Sequence, residues 1–296
     1  MEKHNLTIKD SSLSFLIGFL LSQLAVVVST CIVFFVFKIG NYSMDLLKPF
    51  LNGAIGYMVS ALSLYLVMLI VFFYFKKNKT DKITKPIKIK KLLIYIFIAS
   101  LSFVCLYPII VCIDSLLVKC GVRLSVLSYE LTTRNYFISL ISLVIAPAVC
   151  EELLFRGIIF NGLKKHGKTF AIILTTIMFS LFHMSLSQTA YPLLMGLLLG
   201  VIMYYEENIY YCIAVHMTNN FLSLTLSYFK INLTFNHWTY ILLAIILVIV
   251  YSLIILFLAL KNNKKTKLEK ITRFDYSYLA SSLSIMIALW LLINFI

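Results

Sequence analysis

Charge is what this chain has least of: its 296 residues include only 12 Asp and Glu, and charged residues of both signs make up 13% of the total. A soluble domain carries about a quarter, so an ordinary water-facing surface is excluded. Proline (5) and glycine (10) are sparse and local, and the connections between apolar runs are too short to hold a second folded domain. The six cysteines form no C-x-x-C pair and show no metal-type spacing, which removes the usual zinc and redox motifs. There is no H-E-x-x-H and no internal repeat.

What fills the chain is hydrocarbon. Hydrophobic residues make up 61% of it and arrive in long uninterrupted runs, and a membrane core roughly 30 Å thick is crossed by about 20 helical residues. Spans are expected near Leu13–Phe37, Leu51–Phe75, Leu92–Val118, Tyr136–Leu163, Thr169–Leu186, Ala190–Tyr205, Ile209–Phe229, Trp238–Leu260 and Ser277–Ile296. The fold class is therefore all-α, a polytopic transmembrane helix bundle of eight or nine spans, eight if one of the short middle segments is re-entrant. It divides into N-terminal spans with a basic loop (1–135), a core that carries the chemistry (136–229) and C-terminal spans (230–296). The first run is too long for a signal-peptide core and is followed by no small-residue cleavage site, so it is expected to be a retained span.

A net charge of +14 would suggest nucleic acid in a soluble protein, but here the basic residues sit between the apolar runs. Eight Lys lie from Lys76 to Lys91, five Lys and one Arg from Lys261 to Arg273, and Lys164, Lys165 and Lys168 join the fourth and fifth spans. The alternate connections are poorer in Lys and Arg. This asymmetry puts the N-terminus and the Lys-rich connections in the cytoplasm. The expected surroundings are a lipid bilayer and not nucleic acid, and the Lys-rich connections read as solvated topogenic loops. The Lys, Ile and Asn usage points to an AT-rich bacterial genome, hence to a bacterial plasma membrane.

Ionised groups at the centre of a span cost at least about 2.5 to 3.5 kcal/mol each, so each one is a site candidate. Among the 12 acidic residues only Asp114, Glu151 and Glu152 fall inside apolar runs, and Asp114 is near a span end. Glu152 and Arg156 are four apart with the acid first, the favourable order for an ion pair on one helix face. Glu151 then lies about 100° round the helix without a local partner, free to react. Pro147, just before, removes a helical hydrogen bond and should leave the carbonyl of Leu143 unpartnered. Only two of the five His lie within spans: His183, one turn beyond Phe179, and His216, one turn before Asn220. His4, His166 and His237 belong to the tail or loops. An imidazole and a carboxamide on one face can both donate to an oxyanion; Asn219 could stand in for Asn220. Cys150 is expected to behave as a small buried hydrophobe.

Taken in order, Glu151-Glu152-x-x-x-Arg156, Phe179-x-x-x-His183 and His216-x-x-x-Asn220, each on its own span, resemble the signature of the CAAX protease and bacteriocin-processing family of intramembrane endopeptidases. Phe155-Arg156-Gly157 and the pair Gly196 and Gly200 resemble it too. The likeness covers about residues 136–229. It implies a metal-independent glutamic protease with no cofactor, acting on membrane-associated peptides or proteins. By position, Glu151 with His183 would activate water, His216 with Asn220 would hold the oxyanion, and Glu152 with Arg156 would support the site. Competing readings are a zinc-dependent membrane protease built on the Glu and His residues, a Cys150 nucleophile, and a non-catalytic transporter, immunity protein or scaffold. Counted from the cytoplasmic ends, His216 would lie roughly 10 Å deep and His183 roughly 20 Å deep, so a tilt or a late start is needed to bring them level.

Overall fold

A backbone in hydrocarbon must satisfy its N–H and C=O groups within its own segment, and helices accordingly carry most of the described chain. The structure, a computed structural model, describes residues 4–122, 124, 128–231, 242, 245, 246, 249–253 and 269–295. Its principal helices are α1 (Ile8–Ile39), α2 (Ala54–Lys76), α3 (Ile89–Lys119), α4 (the continuous helical run Thr133–His166), α5 (Lys168–Phe182), α6 (Ala190–Glu206), α7 (Ile209–Tyr228) and α8 (Arg273–Phe295). Among the described residues six segments are long and apolar enough to cross a membrane: α1, α2, α3, α4, α6 with the turn before it, and α8. The all-α polytopic bundle expected from composition is what the chain forms. The expected span Trp238–Leu260, His237 and most of the basic connection after it lie outside the described residues.

α4 is the centre of the bundle. It packs on α1, α2 and α7, while α5 pairs with α6 and α7 leans on α3. Its residues Leu154, Phe155, Ile158 and Ile159 are fully buried, whereas α1 turns Leu24, Val27, Val28 and Phe35 outward, as a lipid-facing helix does. The α5–α6 pair is close because a Cβ on Gly196 would meet Thr176 Cγ2 at 3.0 Å, and one on Gly200 would meet Ile172 Cγ2 at 3.1 Å. Small residues at this spacing let membrane helices approach backbone to backbone.

Two departures from the expected helices shape the site. α4 contains two stretches of π-helix, Leu140–Ile145 and Leu153–Ile159, on either side of the α-helical segment Ala146–Glu152. The fifth span ends at Phe182 rather than Leu186, and His183 is its C-cap. The chain reverses there because Met184 takes a φ of 53° and the following turn is held from α8: Asn294 accepts from Leu186 N at 2.7 Å and donates to the Met184 carbonyl at 3.1 Å.

The Lys-rich connection between α2 and α3 is exposed over most of its length, as expected, and is also tied down as a strap. Ile83 O accepts from Ile209 N at 2.9 Å and Lys85 O from the Asn208 amide at 3.0 Å. Lys88 N donates to the Tyr211 hydroxyl at 3.0 Å, and the Asp81 carboxylate accepts from Leu6 N at 2.6 Å. Lys85 pairs with Glu207 and Lys79 with Asp10, while Lys91 at the start of α3 pairs with Glu206. An exposed ion pair such as Lys85–Glu207 is worth at most about 1 kcal/mol. The backbone bonds therefore do more than the charges to hold the strap over the ends of α1 and α7.

Candidate active site

The wide turn Leu140–Ile145 leads into Pro147, which has no N–H to give to Leu143. The carbonyl expected to be orphaned is met from another helix: Asn220 of α7 donates its amide to Leu143 O at 3.1 Å. One of the two amide N–H groups of Asn220 is thus spent on α4, and the side chain stays in the cavity wall. The neighbouring Asn219 is 2% exposed and accepts a hydrogen bond from the Tyr191 hydroxyl of α6.

The two acids have different surroundings. Glu152 and Arg156 are both 0% exposed and meet at 2.9 Å between Arg156 Nη1 and Glu152 Oε1, the ion pair expected from their spacing. The same Oε1 lies 2.9 Å from His216 Nδ1; an ionised carboxylate only accepts, so this ring nitrogen carries a proton toward it. Arg156 also points Nη2 at the Gly196 carbonyl, at 3.4 Å, and lays its guanidinium over the Phe179 ring at 4.6 Å from the centroid. Glu151 stands apart from this cluster. It is 8% exposed, its Oε2 has no hydrogen-bond partner among the described residues, and the nearest imidazole atom, His216 Nε2, is 3.9 Å away, beyond hydrogen-bond length.

Phe179 gathers the remaining parts. Its ring meets that of His183 edge-on at 5.2 Å and that of His216 at 5.9 Å. His183 Nδ1 is bonded to the Phe179 carbonyl at 3.0 Å, which leaves Nε2 as its other ring nitrogen. The two imidazoles, expected at different depths, meet the same Phe179 ring. At the start of α7 the strap covers Asn208 and Ile209, each 1% exposed.

Glu151, His183, His216, Asn219 and Asn220 all line one cavity of about 560 Å³. Glu152 and Arg156 lie behind its wall. Sequence reasoning missed the tyrosines on the same wall, Tyr57 and Tyr65 from α2 and Tyr191 from α6. Tyr65 interacts directly with the Glu151 carboxylate. The signal was present: Tyr65 sits midway along α2, where a hydroxyl in hydrocarbon needs a polar partner. Cys150 is buried and unbridged, and no cluster of three or more His, Cys, Asp or Glu placed to hold a metal ion occurs among the described residues.

An apolar helical bundle that folds five helices around a site with a buried acid pair, two imidazoles and two carboxamides is an integral membrane protein with a polar site inside it. The family model described as type II CAAX prenyl endopeptidase Rce1-like matches residues 133–222, the stretch from the start of α4 into α7 that carries this site. The resemblance read from the three motifs is thereby borne out over that core. Neither the curated proteins nor the solved structures give a match to it.

Proposed function

We propose that the protein is an intramembrane endopeptidase that hydrolyses peptide bonds of membrane-associated peptides or proteins with a water activated by Glu151 and without a metal. The observation that carries this reading is the contrast between the two acids. Glu152 is engaged through Oε1 by Arg156 and His216 and lies behind the cavity wall, whereas Glu151 has no cation within hydrogen-bond length among the described residues and itself lines the cavity that also holds two imidazoles.

In the proposed reaction Glu151 takes a proton from water as the water oxygen bonds to the substrate carbonyl carbon. His183 lies on the same cavity wall and orients that water. The carbonyl oxygen becomes an oxyanion and is met by the second N–H of Asn220 and by His216 in its imidazolium form, whose Nε2–H points to the oxyanion while its Nδ1–H stays on Glu152. Collapse of the tetrahedral intermediate breaks the C–N bond, and the proton held by Glu151 passes to the departing amine. Donors already fixed by other bonds need no reorganisation as charge develops, which is where such sites gain most. His216 is fixed through Glu152, and Asn220 through Leu143 O.

Metal independence rests on Arg156, whose guanidinium 2.9 Å from Glu152 opposes a second cation at the acid pair. Strong chelators should leave the purified activity unchanged; loss of activity on chelation with recovery on added zinc would establish the zinc reading instead. The test of the function itself is comparative peptidomics of membranes carrying the wild-type protein or Glu151→Gln. Peptides whose termini appear only with the wild type support the reading, and identical peptide sets would assign the protein a non-catalytic role.

A further inference from the structure

The cavity has a direction, and it runs away from the Lys-rich connections. The α2–α3 connection bonds to the start of α7 and to the start of α1, which touches the end of α4, so the α2–α3, α4–α5 and α6–α7 connections share one end of the bundle. At the other end Ser128 before α4 bonds to Asn52 before α2, Thr133 to Tyr228 at the end of α7, and Gln188 between α5 and α6 lines the same cavity as Ser128. The cavity is lined by Tyr57 in the first turn of α2, Ser128 before α4, Gln188 between α5 and α6, and Ser223 and Ser227 in the last turns of α7. All five are exposed. Further in, Leu143, His183 and Asn220 are half-buried, Glu151 and His216 are nearly buried, and Glu152 and Arg156 are sealed.

The opposite end is closed. Beyond Arg156, α4 continues through Ile158, Ile159, Phe160 and Leu163, none more than 1% exposed. Ser11 of α1 donates to the Ile159 carbonyl at 2.9 Å, and a Cβ on Gly162 would lie 2.1 Å from Ser11 Oγ, so α1 and α4 touch there without a gap. The strap then crosses the start of α7 through the Ile83 and Lys85 carbonyls.

Given the peptidase reading, we infer that substrates reach Glu151 from the face opposite the Lys-rich connections, which is the extracytoplasmic face if the basic end lies in the cytoplasm. The substrates are then peptide segments presented on that side: exported peptides or the outer juxtamembrane ends of membrane proteins. The chemistry of the opening fits uncharged segments. Apart from Glu151 and the two His at the bottom, the described lining residues include no ionisable group other than tyrosine, and the mouth offers hydroxyls and an amide.

The test reads access rather than hydrolysis. Single cysteines are placed at Leu143→Cys within the cavity, Gln188→Cys at its mouth and Lys82→Cys on the strap. The background has the non-buried Cys31, Cys112 and Cys120 replaced by Ser, and folding of each form is checked by its size-exclusion profile. A charged maleimide crosses hydrocarbon poorly, so labelling of Leu143→Cys and Gln188→Cys should be at least about tenfold faster in right-side-out than in inside-out membrane vesicles, with Lys82→Cys the reverse. Labelling of Leu143→Cys from the same side as Lys82→Cys, or from neither side, would overturn the direction of the cavity. Labelling of Lys82→Cys from outside would overturn the extracytoplasmic assignment. None of these readouts depends on proteolysis, so the peptidase reading stands or falls separately on Glu151→Gln.

Discussion

Replacing Glu151 by Gln in the purified protein is expected to lower kcat by at least about 10² to 10⁴-fold, the usual contribution of a positioned general base, with little change in KM or in the yield of folded protein. Gln keeps the size of the side chain and its hydrogen-bonding ends but cannot take a proton from water. Little structural loss is expected because Gln keeps an oxygen that can accept from Tyr65 as the carboxylate does, and no ion pair is broken, the nearest imidazole nitrogen being 3.9 Å off. The measurement is cleavage of a membrane peptide by wild type and variant at equal concentrations of monodisperse protein. Activity retained within about a factor of ten of wild type would be too small a loss for a general base and would remove Glu151 from that role.

The second large effect concerns stability and falls on Glu152 and Arg156. Removing one partner of a buried ion pair typically costs about 3 to 5 kcal/mol, because the other charge is left uncompensated. The network makes the two single variants unequal. In Arg156→Gln, Glu152 keeps His216 at 2.9 Å. In Glu152→Gln, Arg156 keeps, among the described residues, the Gly196 carbonyl at 3.4 Å and the face of Phe179 for its charge. Glu152→Gln should therefore give the lower folded fraction after detergent extraction and the lower Tm, Arg156→Gln an intermediate loss, and the double variant a partial recovery. A double variant no better folded than the worse single would show that the pair does not act as a unit.

Much of this molecule can be read from its sequence because bilayer thickness and charge cost leave few alternatives. The long spans follow from composition, and Glu152–Arg156 follows from a spacing of four on one helix. Partners on different helices are harder. Nothing in the sequence says that His216 meets Glu152 through Nδ1, since that depends on how α7 is phased against α4. The exposure of the strap follows from its Lys content, but its backbone bonds to Asn208 and Ile209 leave no trace in residue type. The wide turns of α4 were half legible: Pro147 marked Leu143 O as an orphan, but a π-turn leaves the apolar pattern unaltered. Tyr65 went unnoticed because an aromatic in an apolar run looks like packing until its hydroxyl is asked for a partner.

The two wide turns have a consequence for how such a site can change over time. They bracket the seven residues Ala146–Glu152, and each one alters the angular phase of the helix relative to an unbroken α-helix. The acid pair thus behaves as a short cassette whose heading is set locally. Its heading is not dictated by the far ends of α4, where Gly162 must fit against α1 and Thr132 caps the first turn. Residues at either end can drift to suit a different lipid or a neighbouring helix without turning Glu151 out of the cavity. The converse also holds: a one-residue deletion inside either wide turn would re-phase the helix by about 100° between the cassette and the end beyond that turn, a change no point substitution can reproduce.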